Sequence, residues 1–440
     1  MTKKSLLSFM KYVSLSILGM IAVSGYILAD TFFVSAGLGT EGLTALSLAL
    51  PAYNLVYGVS LMLGVGAATR FAYHKSQGET AEANSVFTHA LAIGGIFAAA
   101  LVIVALTLSA PLARLLGADE HVFDMTNTYL KVLILFSPAF VLKELLLCFV
   151  RNDGAPKLSM AAMVISSFSN ILLDYLFIFP CNMGIFGAVL ATGLSPIIGI
   201  AVLSFHFIRR KNTFRLIKTA PKFSVCGKIM SIGVPSLITQ FSAGISMIVF
   251  NLLILNLAGN VGTAAYSVVA NISFVVVSVF TGIEQGMQPL LSSAYGSGDE
   301  AMLREYLRYG VVTVFLVTAL LTVALYIPTE QIVSVFNRER NVELAAYAVR
   351  GMRLYFSATV CVGLSSAVSV FFSSTQKPFP AQIISLLRGL AVLLPVVLIF
   401  SRLFGMTGIW LSYPVTETLV CIVAIVFLFV FYHPSKSVKE

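Results

Sequence analysis

Apolar runs recur along the chain from end to end, separated by short polar stretches. Most are long enough to cross a bilayer as a helix, which takes roughly 20 apolar residues. The pattern predicts twelve spans, near 12–34, 45–71, 89–112, 126–150, 158–179, 185–207, 229–257, 264–291, 309–328, 346–372, 381–403 and 409–432. A transmembrane β-barrel would instead alternate over segments of about 10 residues, and no such pattern is present. The fold class is therefore an all-α polytopic membrane protein. The longest polar stretch, 208–228, leaves no room for a soluble catalytic or nucleotide-binding domain.

The pattern also repeats. Gly39-Thr-Glu-Gly42 matches Gly259-Asn-Val-Gly262 at an offset of 220, and Gln77-Gly78-Glu79 matches Ser297-Gly298-Asp299. Gly184-Ile-Phe-Gly187 matches Gly405-Met-Thr-Gly408, and Pro156 matches Pro378, at nearly the same offset. The expected organisation is a six-helix bundle over 1–207, a cytoplasmic basic linker over 208–228 and a second six-helix bundle over 229–440. Six spans is an even number, so both halves enter the membrane from the same side. Parallel repeats of this kind are a transporter signature.

Composition narrows the reading. Of 440 residues, 58% are hydrophobic and 11% charged, with mean hydropathy +0.93. A soluble domain carries about 25% charged residues, and disorder requires low hydrophobicity, so both are excluded. The net charge of +9 sits in short loops and speaks to topology, not to nucleic acid. With the N-terminus inside, nineteen Lys and Arg fall on inner segments, seven of them in the linker. The outer loops carry Arg114, Arg338, Arg340 and Arg402. This bias puts both termini in the cytoplasm, in a multi-pass protein of the cell inner (plasma) membrane. Lys131, Lys143, Arg350, Arg353 and Arg388 lie near span ends and read as snorkelling to the interface. The N-terminal run after Lys3 and Lys4 reads as a retained span. The five Cys and five His show no metal-ligand or disulfide spacing.

Candidate chemistry lies in acids within spans, where a charge costs at least about 2.5–3.5 kcal/mol at the helix centre. Asp30 is a turn below the outer end of span 1, Asp174 just over a turn below the outer end of span 5, and Thr192 about two turns below the outer end of span 6. Asn170 is four residues before Asp174 and shares its helix face. The repeat partners of the two acids are apolar, Phe250 and Val396. The asymmetry points to a cation-linked site in the first half alone. Neighbouring carboxyls with amide and hydroxyl oxygens can take up H⁺ or cage Na⁺, and either event biases one conformation over another. The blander readings are hydrogen bonding of the acids to local hydroxyls and back-bonding of Thr192 to its own helix. Glu284, Gln288 and Glu417 in the second half form a candidate substrate site. The acids there either face a central cavity or pair with a base such as Arg388. Glu144, beside Lys143, reads as structural.

Together the repeat, Asp30-Thr-Phe-Phe-Val-Ser, Arg151-Asn-Asp-Gly154-Ala-Pro156, Asn170-Ile-Leu-Leu-Asp174, Gly184-Ile-Phe-Gly187-Ala-Val-Leu-Ala-Thr192 and Gln285-Gly286-Met-Gln288-Pro289 resemble the multidrug and toxic compound extrusion (MATE) family. Within it, the chain resembles the bacterial MepA/DinF-like branch. The resemblance implies an antiporter that exports amphipathic, mostly cationic drugs in exchange for H⁺ or Na⁺. It maps the coupling site onto Asp30, Asn170, Asp174 and Thr192. No cofactor beyond the coupling ion, no nucleic acid and no obligate protein partner are expected; the partners are small cationic amphiphiles and membrane lipids. Span 1 lacks the proline that some members bend during coupling, and spans 7 and 10 lack the acids another branch uses. The alternative is a flippase for lipid-linked oligosaccharides or lipids from the same superfamily. An enzyme lacks a catalytic constellation, a channel lacks a TVGYG-like filter, and ATP drive lacks a G-x-x-x-x-G-K-[ST] motif.

Overall fold

The computed structural model describes residues 3–337 and 341–432. Arg338, Arg340, Lys436 and Lys439, which enter the charge bias above, lie outside the described residues. Among the described residues the chain is almost entirely helical and contains no strand.

Two helices are too long to cross a membrane straight. α1 (Lys3–Ser76) and α7 (Phe223–Gly296) each run 74 residues, about 110 Å at 1.5 Å per residue. Both are broken at a glycine in a left-handed, non-helical conformation: Gly39 (φ 66°, ψ −154°) and Gly259 (φ 58°, ψ −152°). A residue with a Cβ is strained there, and glycine is not. The chain folds back at each break. The hydroxyls of Tyr26 and Tyr53 lie 2.9 Å apart, although 27 residues of straight helix would separate them by about 40 Å. Phe250 and Tyr266 likewise meet with ring centroids 5.5 Å apart. The near-identical geometry at the two glycines is the sequence repeat expressed in the backbone.

The remaining helices are α2 (Thr80–Leu115), α3 (Phe123–Leu135), α4 (Ser137–Asn152), α5 (Pro156–Ile178) and α6 (Gly184–Ile208) in the first half. The second half has α8 (Glu300–Tyr326), the short α9 (Thr329–Phe336), α10 (Val342–Tyr355), α11 (Thr359–Ser374), α12 (Pro378–Leu386) and α13 (Leu393–Phe431). α3 and α4 make one span bent by 45°. α10 runs into α11, and α12 into α13 through a π-helical stretch at Leu387–Ala391. α13 breaks at Gly405 (φ 56°). Dividing α1, α7 and α13 at their glycines gives twelve spans in the predicted order. Their outer faces are apolar and exposed, as at Ile96, Ile103 and Leu320, which suits contact with lipid.

Buried apolar side chains form three clusters. Two come from the first half, with Val225 and Ile229 at the edge of one; the third comes from the second half, joined by Phe9 and Val13. The two six-helix bundles thus have separate cores. They touch most closely toward the end that carries the N-terminus and the linker. A Cβ on Gly66 would lie 2.0 Å from the Ile229 carbonyl oxygen, and one on Gly286 2.5 Å from Val13 Cα. Gly233 against Met62 and Gly282 against Ile17 repeat the arrangement.

The linker is shorter than the sequence suggests and is not free. α6 ends at Ile208 and α7 begins at Phe223. Between them Phe214 is fully buried against Phe71, Phe87, Phe149 and Phe207. The backbone N–H groups of Arg215, Ile217 and Lys222 donate to Asn84, Thr88 and His89 on α2.

Candidate cation-coupling site and central cavity

α1, α5 and α6 converge on a buried polar group in the first bundle. Asp30 projects from α1, Asn170 and Asp174 from one face of α5, and Thr192 from α6. All four are buried, Asn170 and Asp174 completely. The carboxyls of Asp30 and Asp174 are within hydrogen-bonding reach of each other. With its NH₂ turned toward Asp174, the Asn170 amide donates to Oδ2 at 3.1 Å, and its carbonyl accepts from the Thr192 N–H at 3.3 Å. The Thr192 hydroxyl donates to Ala188 O at 3.2 Å, so it does back-bond to its own helix. The four residues nevertheless form one contiguous group.

Neither acid forms an ion pair with a described Lys, Arg or His. One oxygen of each, Oδ1 of Asp30 and of Asp174, is buried without a hydrogen-bond partner. Two adjacent buried carboxyls repel each other when both are ionised, and a shared proton or a cation relieves that repulsion. A cavity of about 40 Å³ opens beside Asp30 and Thr192 and is lined also by Tyr26, Tyr53 and Tyr129. One water or a small cation fits such a space. Sequence reasoning missed these tyrosines. Tyr26 had a signal, since it stands one helical turn before Asp30. Tyr53 and Tyr129 come from other spans and had none.

A second cavity, about 150 Å³, lies between the bundles. Glu284, Gln285, Gln288, Arg151, Arg388 and Tyr413 are among its walls. The candidate substrate residues separate here. Glu284 faces the cavity. Glu417 is fully buried and paired with Arg388, whose Nε lies 3.1 Å from Oε1. Arg388 also donates to Ser366 Oγ and Val362 O, each at 3.0 Å, and to Ser365. Arg388 therefore does not snorkel: the π-helical stretch turns it inward, where its charge is met by Glu417. Gln288 is held at the inter-bundle seam, donating to Thr69 Oγ1 at 2.9 Å and accepting from Asn152 Nδ2 at 2.9 Å. Glu144 accepts from Lys143 at 2.8 Å. Arg151, buried at the floor, donates among the described residues to the Gln285 carbonyl (3.4 Å) and the Met163 sulfur (3.8 Å).

The family model MatE matches residues 16–176 and 235–401. The chain belongs to the MatE family, whose members are transporters and not enzymes. The multidrug export protein MepA of Staphylococcus saprophyticus is 24% identical over 92% of this chain and 89% of its own length. An outward-facing structure of a multidrug resistance MATE transporter of the MOP superfamily superposes with TM-score 0.91 at 22% identity, covering 96% of this chain and 95% of that one. A MOP superfamily transporter from Pyrococcus furiosus, described by the reversed polarity of its binding pocket, gives TM-score 0.89 at 22% identity over 98% of both chains.

Proposed function

We propose that this protein is a cation-coupled antiporter that exports amphipathic, mostly cationic drugs by alternating access, with Asp30, Asn170, Asp174 and Thr192 as its coupling site. The observation that carries the reading is the pair of adjacent, buried carboxyls without a basic partner among the described residues. H⁺ or Na⁺ arriving at the pair removes their mutual repulsion. Its release restores it, so the ion favours one packing of α1, α5 and α6 over the other. Glu284 supplies a carboxylate for a cationic substrate in the central cavity. With both termini in the cytoplasm, the tight seam at Gly66 and Gly286 seals the cytoplasmic side, in keeping with the likeness to an outward-facing relative.

Efflux of ethidium from proteoliposomes, driven by an imposed pH or Na⁺ gradient, tests this reading. One gradient drives efflux in the wild type, and Asp30→Asn abolishes the dependence on it. Gradient-driven efflux that persists unchanged in Asp30→Asn and in Asp174→Asn refutes the assignment. A lipid flippase is the second reading. Arg151 favours it, because a buried guanidinium that forms no ion pair among the described residues suits an anionic headgroup. Absence of ethidium transport together with translocation of a fluorescent anionic lipid would select it.

A further inference from the structure

An open groove of about 760 Å³ lies at the linker end of the first bundle, away from the coupling pair and the central cavity. Lys11 in the third turn of α1, Lys157 in the first turn of α5, and Arg209 and Lys211 after α6 line it. All four are exposed, and none forms an ion pair within the described residues. Its one acid, Asp153, is already engaged. Oδ1 accepts from Lys75 and the Thr213 hydroxyl, and Oδ2 from His206 Nε2 and the Thr213 N–H, both at 2.8 Å. Asp153 therefore pins the linker across the helix ends and leaves the four cations uncompensated.

Two further features favour an anion. α5 begins here at Pro156 with no side-chain cap; the Ala155 and Leu158 N–H groups are bonded to backbone carbonyls, which leaves the Lys157 N–H and the positive end of a 23-residue helix at the groove. One wall is apolar: Phe205 lines the groove and is half-exposed, and Ile208 at the end of α6 is 71% exposed. A basic floor beside an apolar wall at the edge of the hydrocarbon matches a phosphate headgroup joined to acyl chains. The groove is not generic scaffold, because the repeat partners of Asp153 and Lys157 are Thr375 and Phe379.

We infer that this groove is a binding site for the headgroup of an anionic phospholipid of the adjoining leaflet. Lys11, Lys157, Arg209 and Lys211 meet the phosphate, and Phe205 meets the acyl chains. Each basic residue near an anionic surface contributes about fivefold in affinity.

Native mass spectrometry of the full-length protein, purified in detergent and incubated with defined lipids, tests the site. The wild type retains dioleoylphosphatidylglycerol over dioleoylphosphatidylcholine by at least about tenfold. The combined Lys11→Gln, Lys157→Gln, Arg209→Gln and Lys211→Gln variant loses that preference while keeping the wild-type Tm. Lys157→Gln alone loses part of it, which keeps the test informative if the combined variant folds poorly. Neutralising Lys131, Arg350 and Arg402 at the opposite end has no effect. Equal retention of the two lipids by the wild type, or full retention of phosphatidylglycerol by both groove variants, overturns the proposal. So does complete displacement of the lipid by millimolar inorganic phosphate, which would identify a free anion as the ligand.

Discussion

The seam between the bundles makes a quantitative prediction. A Cβ on Gly66 would sit 2.0 Å from the Ile229 carbonyl oxygen. Carbon contacts are favourable only from about 3.5 Å. The obstacle is backbone and no rotamer change can clear it, so Gly66→Ala must push the first part of α7 away by about 1.5 Å. Overpacking of this kind costs typically about 1–3 kcal/mol. The cost falls only on the state in which the two helices touch, so the balance between states shifts about 5- to 150-fold toward separation at this end. Gly286→Ala, 2.5 Å from Val13 Cα across the pseudo-symmetric contact, should act the same way. Gly95 on α2 is the control, since a Cβ there meets nothing within 4 Å. Gly95→Ala should stabilise slightly, by about 0.5–1 kcal/mol. Spin labels at Gln77 and Ser297, in a background with the native cysteines replaced, report the separation by electron–electron double resonance. The glycine variants should populate a longer distance and slow efflux, and Gly95→Ala should do neither. A wild-type distance distribution in both seam variants would refute the reasoning.

Other sites give sharper stability readouts. Arg388→Met leaves the fully buried Glu417 without its partner and should cost about 3–5 kcal/mol, read as a fall in Tm; Arg388→Met with Glu417→Met should recover most of it. Phe214→Ala removes the ring that anchors the linker, at a cost of about 3–5 kcal/mol, and should free the linker backbone from α2, so that trypsin in detergent cleaves faster after the already exposed Arg215 and Lys218. Burial works to raise the Asp153 pKa, but the hydrogen bonds from Lys75, Thr213 and His206 outweigh it and hold the carboxyl below its ordinary value. A carboxyl lowered on folding stabilises the folded state above its unfolded pKa of about 3.9, and that contribution disappears as pH falls through the folded value. Wild-type Tm should therefore fall more steeply than that of Asp153→Asn below about pH 4.

Much of this architecture was readable in the sequence, for identifiable reasons. Span count follows from length and hydropathy, because the bilayer imposes one element length. Gly39 and Gly259 were visible in the sequence as matching positions of the repeat, and the structure shows why both are glycine: each turn demands a backbone that glycine adopts without strain. Asp30, Asn170 and Asp174 stood out because acids within apolar spans are costly and have apolar repeat partners. What stayed hidden depends on where helices meet. The hydrophobic pattern cannot tell that Phe214, in a basic stretch, fills an aromatic pocket under α2 and α4. Nor can it tell that a π-helical stretch turns Arg388 toward Glu417, or that Gln288 is taken up by Thr69 and Asn152. The Asp153 hub joins residues 75, 153, 206 and 213, with no period to reveal them.

Cation uptake at Asp30 and Asp174 is the central claim, and equilibrium binding tests it most directly. Fluorescence polarisation of rhodamine 6G on the purified protein, titrated separately with H⁺ and with Na⁺, reads substrate release as the coupling site fills. Wild-type protein should release the dye with one of the two ions, and Asp174→Asn should bind it with no dependence on that ion. Identical ion titrations in the wild type and Asp174→Asn would contradict the claim.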